Sequence, residues 1–142
     1  MKEFKGLKLY ELYEGRMTGE RELVKAGFRL DTKYLEALKP IADGLGCAVS
    51  EILRAVVSEW VSNNPDNGTM TDGEYKGLKI FSPGQRRKMT REKLSNKELF
   101  LDPNDYKKLR WDAVCSGCSV SEIIRAIVSD WMDKNFTEKT NG

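Results

Sequence analysis

The chain has 142 residues, 39% of them hydrophobic and 32% charged, with a formal net charge of +2. No stretch approaches the ~18 consecutive apolar residues of a membrane span, and the opening "MKEFKGLKLYELYEG" has no signal-like apolar run, so a soluble, cytoplasmic protein is expected. So small a charge excludes a general polyanion binder, and the length allows one compact core or two small ones.

Displaced by 71 residues, the chain matches itself without a gap, and 24 of 71 aligned positions are identical. "EFKGLKLY" at 3–10 returns as "EYKGLKIF" at 74–81, and "VSEILRAVVSEW" at 49–60 returns as "VSEIIRAIVSDW" at 120–131. Two units follow, 1–71 and 72–142, each with its own N-terminal extension. Two copies are too few for a solenoid, which stacks three or more.

In chain order, residues 4–10 read as an extra strand, pairing with its copy at 75–81, or as a basic arm. "VKAGFRL" at 24–30 alternates Val24, Ala26, Phe28 and Leu30 with Lys25, Gly27 and Arg29, the period of a half-buried strand. Asp31 or Thr32 is placed to cap a helix carrying Leu35, Leu38 and Ala42, and Pro40 predicts a kink or an early stop. The helix ends at Gly44 or Gly46, and a second begins at a Ser50 cap. Ile52, Leu53, Val56, Val57 and Trp60 cover most of that second helix, so it must be buried.

"NNPDNGTMTDG" at 63–73 is a turn-rich linker. Residues 65–97 carry eight Lys or Arg against four Asp or Glu, concentrated in "RRKMTREK" at 86–93. In the second unit the strand falls on 95–101, where Ser95, Lys97, Leu99 and Leu101 alternate poorly and leave the register open. Its second helix begins at Ser121 and carries Ile123, Ile124, Ile127, Val128 and Trp131. One strand and two helices are too few to bury such helices alone, so each copy supplies the other's partner.

The three cysteines, Cys47, Cys115 and Cys118, read as structural thiols beside helix ends. A lone C-x-x-C lacks the four ligands of a zinc site, and a chain without histidine excludes a histidine-ligated metal. With no Gly-rich phosphate loop and no carboxylate pair set apart in a pocket, neither an enzyme nor a cofactor is expected.

The order strand, helix, G-C-x-V-S-E-I-[LI]-R-A, helix, at about 24–64 and 95–135, resembles the ribbon-helix-helix (MetJ/Arc) DNA-binding family. The resemblance implies a mainly α fold with a short two-stranded antiparallel ribbon, in which tandem units form an intramolecular pseudo-dimer. It implies a partner, double-stranded DNA, whose major groove takes the ribbon, and it leaves further association of chains on DNA open. The base-contacting positions it implies are Lys25, Gly27 and Arg29, and then Asn96, Glu98 and Phe100. Arg29 suits guanine, Asn96 adenine, Glu98 the cytosine N4 amine and Phe100 a thymine methyl, while Gly27 permits close approach. Unpaired amides at the second helix of each unit, at Val49 and Ser50 and at Val120 and Ser121, suit phosphate, as do Arg86, Arg87 and Lys88. A repressor acting by occupancy is the first expectation. The alternatives are a plasmid relaxosome or partition accessory protein and an antitoxin-like protein-binding module.

Overall fold

A computed structural model describes residues 2–4, 7–9, 23–66, 68–69, 71–80 and 94–136. Four helices dominate them: α1 (Thr32–Leu45), α2 (Val49–Asn63), α3 (Pro103–Ser116) and α4 (Val120–Phe136). Between them run six short strands, β1 (Lys2–Phe4), β2 (Leu7–Leu9), β3 (Val24–Asp31), β4 (Glu74–Tyr75), β5 (Leu78–Lys79) and β6 (Leu94–Leu101). They form three antiparallel two-stranded sheets, β1 with β2, β3 with β6 and β4 with β5. The architecture is thus mixed, with more strand than the single ribbon that the family resemblance implies.

The two KGLK segments account for the difference. Each folds back on itself instead of pairing with its copy, with Phe4 opposite Leu7 and Tyr75 opposite Leu78. In the second hairpin the turn residues Lys76 and Gly77 both take positive φ, 51° and 84°. That is the two-residue turn whose twist matches paired strands, and so short a closure costs little entropy.

β3 and β6 pair over eight residues, from Val24 opposite Leu101 to Asp31 opposite Leu94. Gly27 lies opposite Glu98, its own counterpart at the 71-residue spacing, so the pairing is centred on equivalent positions. Ala26, Phe28, Leu30, Leu99 and Leu101 are buried. Lys97 and Ser95, the irregular inward residues, are only half-buried opposite Phe28 and Leu30. Ser95 has a local partner, its hydroxyl lying 2.7 Å from that of Thr32.

α1 and α3 are both 14 residues long and begin 71 residues apart. α1 runs through Pro40 to Leu45, neither stopping there nor at Gly44. Leu38 and Ala42, buried on either side of Pro40, hold the helix to the core. Gly46, at φ 74°, ends it: the Gly46 N–H donates to Asp43 O and the Cys47 N–H to Ala42 O. Gly117 and Cys118 repeat the arrangement on Val114 and Ala113. Left-handed backbone is accessible to glycine without a Cβ clash, which is why the two G-C pairs sit at these ends.

The N-terminal caps depart from expectation. Asp102 accepts a bond from the Asn104 N–H at 2.8 Å, but Asp31, its counterpart, makes no capping bond because its carboxylate faces Arg125. α2 and α4 begin at Val49 and Val120, one residue before the serines expected to cap them. The cap of α4 is Ser119, whose hydroxyl accepts the Glu122 N–H at 3.1 Å while Glu122 accepts the Ser119 N–H. Ala48 occupies that place before α2 and supplies no side-chain cap.

Residues of both halves share one apolar core. α4 packs on β3, α2 packs on β6, and the two helices pack on each other, so each second helix covers the strand of the other half. The hairpins cover the outside, β2 against α2 and β5 against α4.

One buried charge interrupts this core. Asp112 on α3 is fully buried, and its Oδ1 accepts from Tyr75 Oη at 2.5 Å, Lys108 Nζ at 3.1 Å and Lys76 Nζ at 3.2 Å. Lys76 also donates to Asn64 O at 2.9 Å, and the Gly68 N–H donates to Tyr75 Oη. Hairpin, linker and α3 are therefore tied at one point. Burial, with Lys108 alongside, pushes the Lys76 ammonium below its usual pKa range, and burial with the Asp112 bond raises that of the Tyr75 phenol. In the first half, Ile41 and Ala37 stand where Asp112 and Lys108 do.

A core shared by both halves should unfold in one transition whose midpoint does not depend on protein concentration. Residues 1–71 alone should be poorly folded or form a homodimer, as measured by circular dichroism and sedimentation. A stable monomer of that half would contradict the shared core. Asp112→Ala, which strands two part-buried ammonium groups, should cost about 3–5 kcal/mol in denaturant unfolding. Asp112→Ile with Lys108→Ala, copying Ile41 and Ala37, should cost clearly less.

Candidate nucleic-acid interface

Side chains directly opposite in an antiparallel pair share a face. Three consecutive outward pairs of the β3–β6 ribbon are Lys25 with Phe100, Gly27 with Glu98 and Arg29 with Asn96. The structure thus brings all six strand residues singled out in the sequence onto one face. Five are exposed and Phe100 is half-buried.

The five exposed residues differ in setting. Lys25 Nζ lies 3.8 Å from Glu98 Oε2, with both side chains about 60% exposed (59% and 61%). Such surface pairs contribute little and exchange readily for another partner. Arg29 and Asn96 have no side-chain partner among the described residues, which leaves their donors available. Gly27 has no positive φ, and a Cβ built on it would meet nothing nearer than Lys97 O at 3.9 Å. The fold does not require glycine there, although a mid-strand glycine typically costs about 0.5–1 kcal/mol. The bare centre of the ribbon therefore has no structural reason of its own.

The first turn of α4 is joined to this ribbon. Ser121 Oγ donates to Gly27 O at 2.8 Å, and Arg125 Nη2 donates to Asp31 Oδ1 at 3.2 Å. Both members of that ion pair are largely buried, so it holds the end of β3 firmly to α4. Between ribbon and helix lies a groove of about 540 Å³, lined by Arg29, Asn96 and Lys97 on one side and by Ser119, Ser121 and Arg125 on the other. Val120 and Ser121 are the first two residues of α4, whose amides have no acceptor within the helix. Val49 and Ser50 hold the same places in α2.

The two helix starts are not alike. Ser50 has no hydrogen bond matching that of Ser121 among the described residues, and Arg54, the counterpart of Arg125, has a buried Nη1 without a partner. Arg86, Arg87 and Lys88 lie outside the described residues.

Asp31 reads in the sequence only as a helix cap, and its pairing with Arg125, which orients α4 on the ribbon, does not show there. The signal was present: both halves keep an Asp at the strand end, Asp31 and Asp102, and an Arg within the apolar helix, Arg54 and Arg125. An arginine surrounded by Ile, Leu and Val needs an acidic partner, and an aspartate retained at one strand end supplies it. Cys47, Cys115 and Cys118 form no disulfide and lie at half-buried positions, and burial raises the pKa of Cys118. Among the described residues no three His, Cys, Asp or Glu side chains gather as metal ligands would. Comparison of the chain with protein-family models, with curated proteins and with solved structures finds no match.

Proposed function

We propose that the chain binds double-stranded DNA sequence-specifically, its two halves acting as an intramolecular pseudo-dimer that lays the β3–β6 ribbon in the major groove. The observation that carries this reading is the ribbon itself: six outward residues in register about Gly27 and Glu98, in contact with the start of α4 through Ser121. A two-stranded ribbon about 5 Å across, with its side chains, suits a groove about 12 Å wide.

The chemistry divides between reading and positioning. Arg29 carries the paired donors that match guanine O6 and N7, and Asn96 beside it matches adenine N6 and N7. Glu98 accepts from cytosine N4, Phe100 meets a thymine methyl, and Lys25 exchanges Glu98 for a base or a phosphate. Gly27 lets the groove floor approach the ribbon backbone. The opening amides of α2 and α4 take phosphates on either side, and the Ser121 bond to Gly27 O fixes the distance between one anchor and the reading surface. No step of bond making is involved. The simplest consequence of such occupancy at a promoter is repression. The unequal strand faces also favour a directional site, which suits a relaxosome or partition accessory role on the same interface.

Arg29→Ala should relax base preference at one position, costing about 1–3 kcal/mol against the preferred base, as measured by binding to a panel of singly substituted duplexes. Unchanged affinity and preference would remove the ribbon as the reading surface. Selection from random duplex DNA should return an asymmetric core, tightly specified at the bases met by Lys25 and Arg29 of the first strand and tolerant at those met by Glu98 and Phe100 of the second. Transplanting residues 24–30 into 95–101 should shift the selected site toward an inverted repeat. A perfect palindrome selected by one wild-type chain would show that the strand difference is not read.

A further inference from the structure

The outer faces of α1 and α3 occupy equivalent places in the repeat but differ in chemistry. On α3, Lys107, Trp111 and Val114 stand at helical spacing along one stripe with Arg110 beside it. Trp111 is 53% exposed and Val114 72%, the large hydrophobic side chains left most open among the described residues. The corresponding residues on α1 are Glu36, Pro40 and Asp43, with Lys39 beside them, and all are exposed. Summed over these positions, the α3 face carries two positive charges and the α1 face one net negative charge. Among the described residues none of these five charged side chains forms an ion pair.

We propose that the occupant of the α3 face is a second copy of this chain, which presents its α1, so that chains join head to tail. Charge complementarity selects this pairing over the alternatives. Two α3 faces would bring four like charges together, and two α1 faces offer no large apolar side chain. With Trp111 seated on Pro40, Lys107 meets Glu36 if the helices run parallel and Asp43 if they run antiparallel, so attraction holds in either direction. Trp is the side chain that most often anchors protein contacts, because it covers a large area at small entropic cost. One helix face on another is a small interface, so the association is weak, on the order of 10–1,000 µM. Because the two surfaces differ, the contact is heterologous and leaves an unused face at each end.

Head-to-tail association of this kind is independent of DNA binding and is tested without DNA. Sedimentation of the full chain from about 10 µM to 1 mM should show a mass average rising past one chain and past two. Trp111→Ala should weaken association at least tenfold with an unchanged melting transition. A chain carrying K107E and R110E, and a second carrying E36K and D43K, should each remain single, yet associate when mixed, because each presents the face that the other needs. Three results would overturn the proposal: a wild-type chain that stays single at 1 mM, association that stops at two copies and ignores the charge changes, or charge-changed chains that do not associate on mixing while keeping the wild-type melting transition.

Discussion

A two-stranded ribbon of eight residues cannot hold itself together in water, and this constraint organises the rest of the molecule. Its strands lie far apart in the chain, so their pairing must close a long loop before any contact repays it. The repayment comes from below: Phe28, Leu30, Leu99 and Leu101 turn toward α2 and α4, which are too apolar to be left uncovered. Because α4 lies on β3 and α2 on β6, neither half can finish its core by itself. The outward face of the ribbon is then free to differ from strand to strand, since nothing in the core depends on it.

Much of this was legible in the residues. The 71-residue repeat and the apolar blocks at 49–60 and 120–131 located the paired helices, and of the two glycines offered as the end of α1, Gly44 and Gly46, the fold uses Gly46. The ribbon register stayed open because Ser95 and Lys97 break the alternation, and only the pairing of Gly27 with Glu98 in the fold settles it. What stayed hidden depended on partners distant in sequence. Ser50 and Ser121 resembled caps because capping is a local rule, yet Ser121 spends its hydroxyl on Gly27 O, a bond that only the assembled fold offers. Pro40 read as a kink or an early stop because its local cost is visible in sequence, whereas the weight of Leu38 and Ala42 against that cost shows only once both are packed in the core. The Asp112 cluster was hidden for the same reason: Tyr75, Lys76, Lys108 and Asp112 become neighbours only when the hairpin folds over α3.

The two halves also diverge in a consistent direction. The second has the capped helix, the bond from helix to ribbon, and the buried carboxylate that ties its hairpin down. The first has the uncapped helix at Ala48, an apolar Ile41 in place of Asp112, and the more basic strand face. Hydrogen-bonded ties between elements are thus concentrated in one half and the positive strand side chains Lys25 and Arg29 in the other, joined through Gly27.

The centre of the ribbon carries a consequence for how such a chain can change over time. In two identical strands paired in this register, the middle residue would face itself, so any acidic side chain there would meet its own negative charge across the ladder. Glu98 escapes that repulsion because the residue opposite is a glycine encoded separately. Fusing the two copies into one reading frame removes a symmetry rule, and a substitution that would arrive twice in a pair of identical subunits arrives once. The position most forbidden to charge in a symmetric assembly becomes the first at which the two halves can part ways.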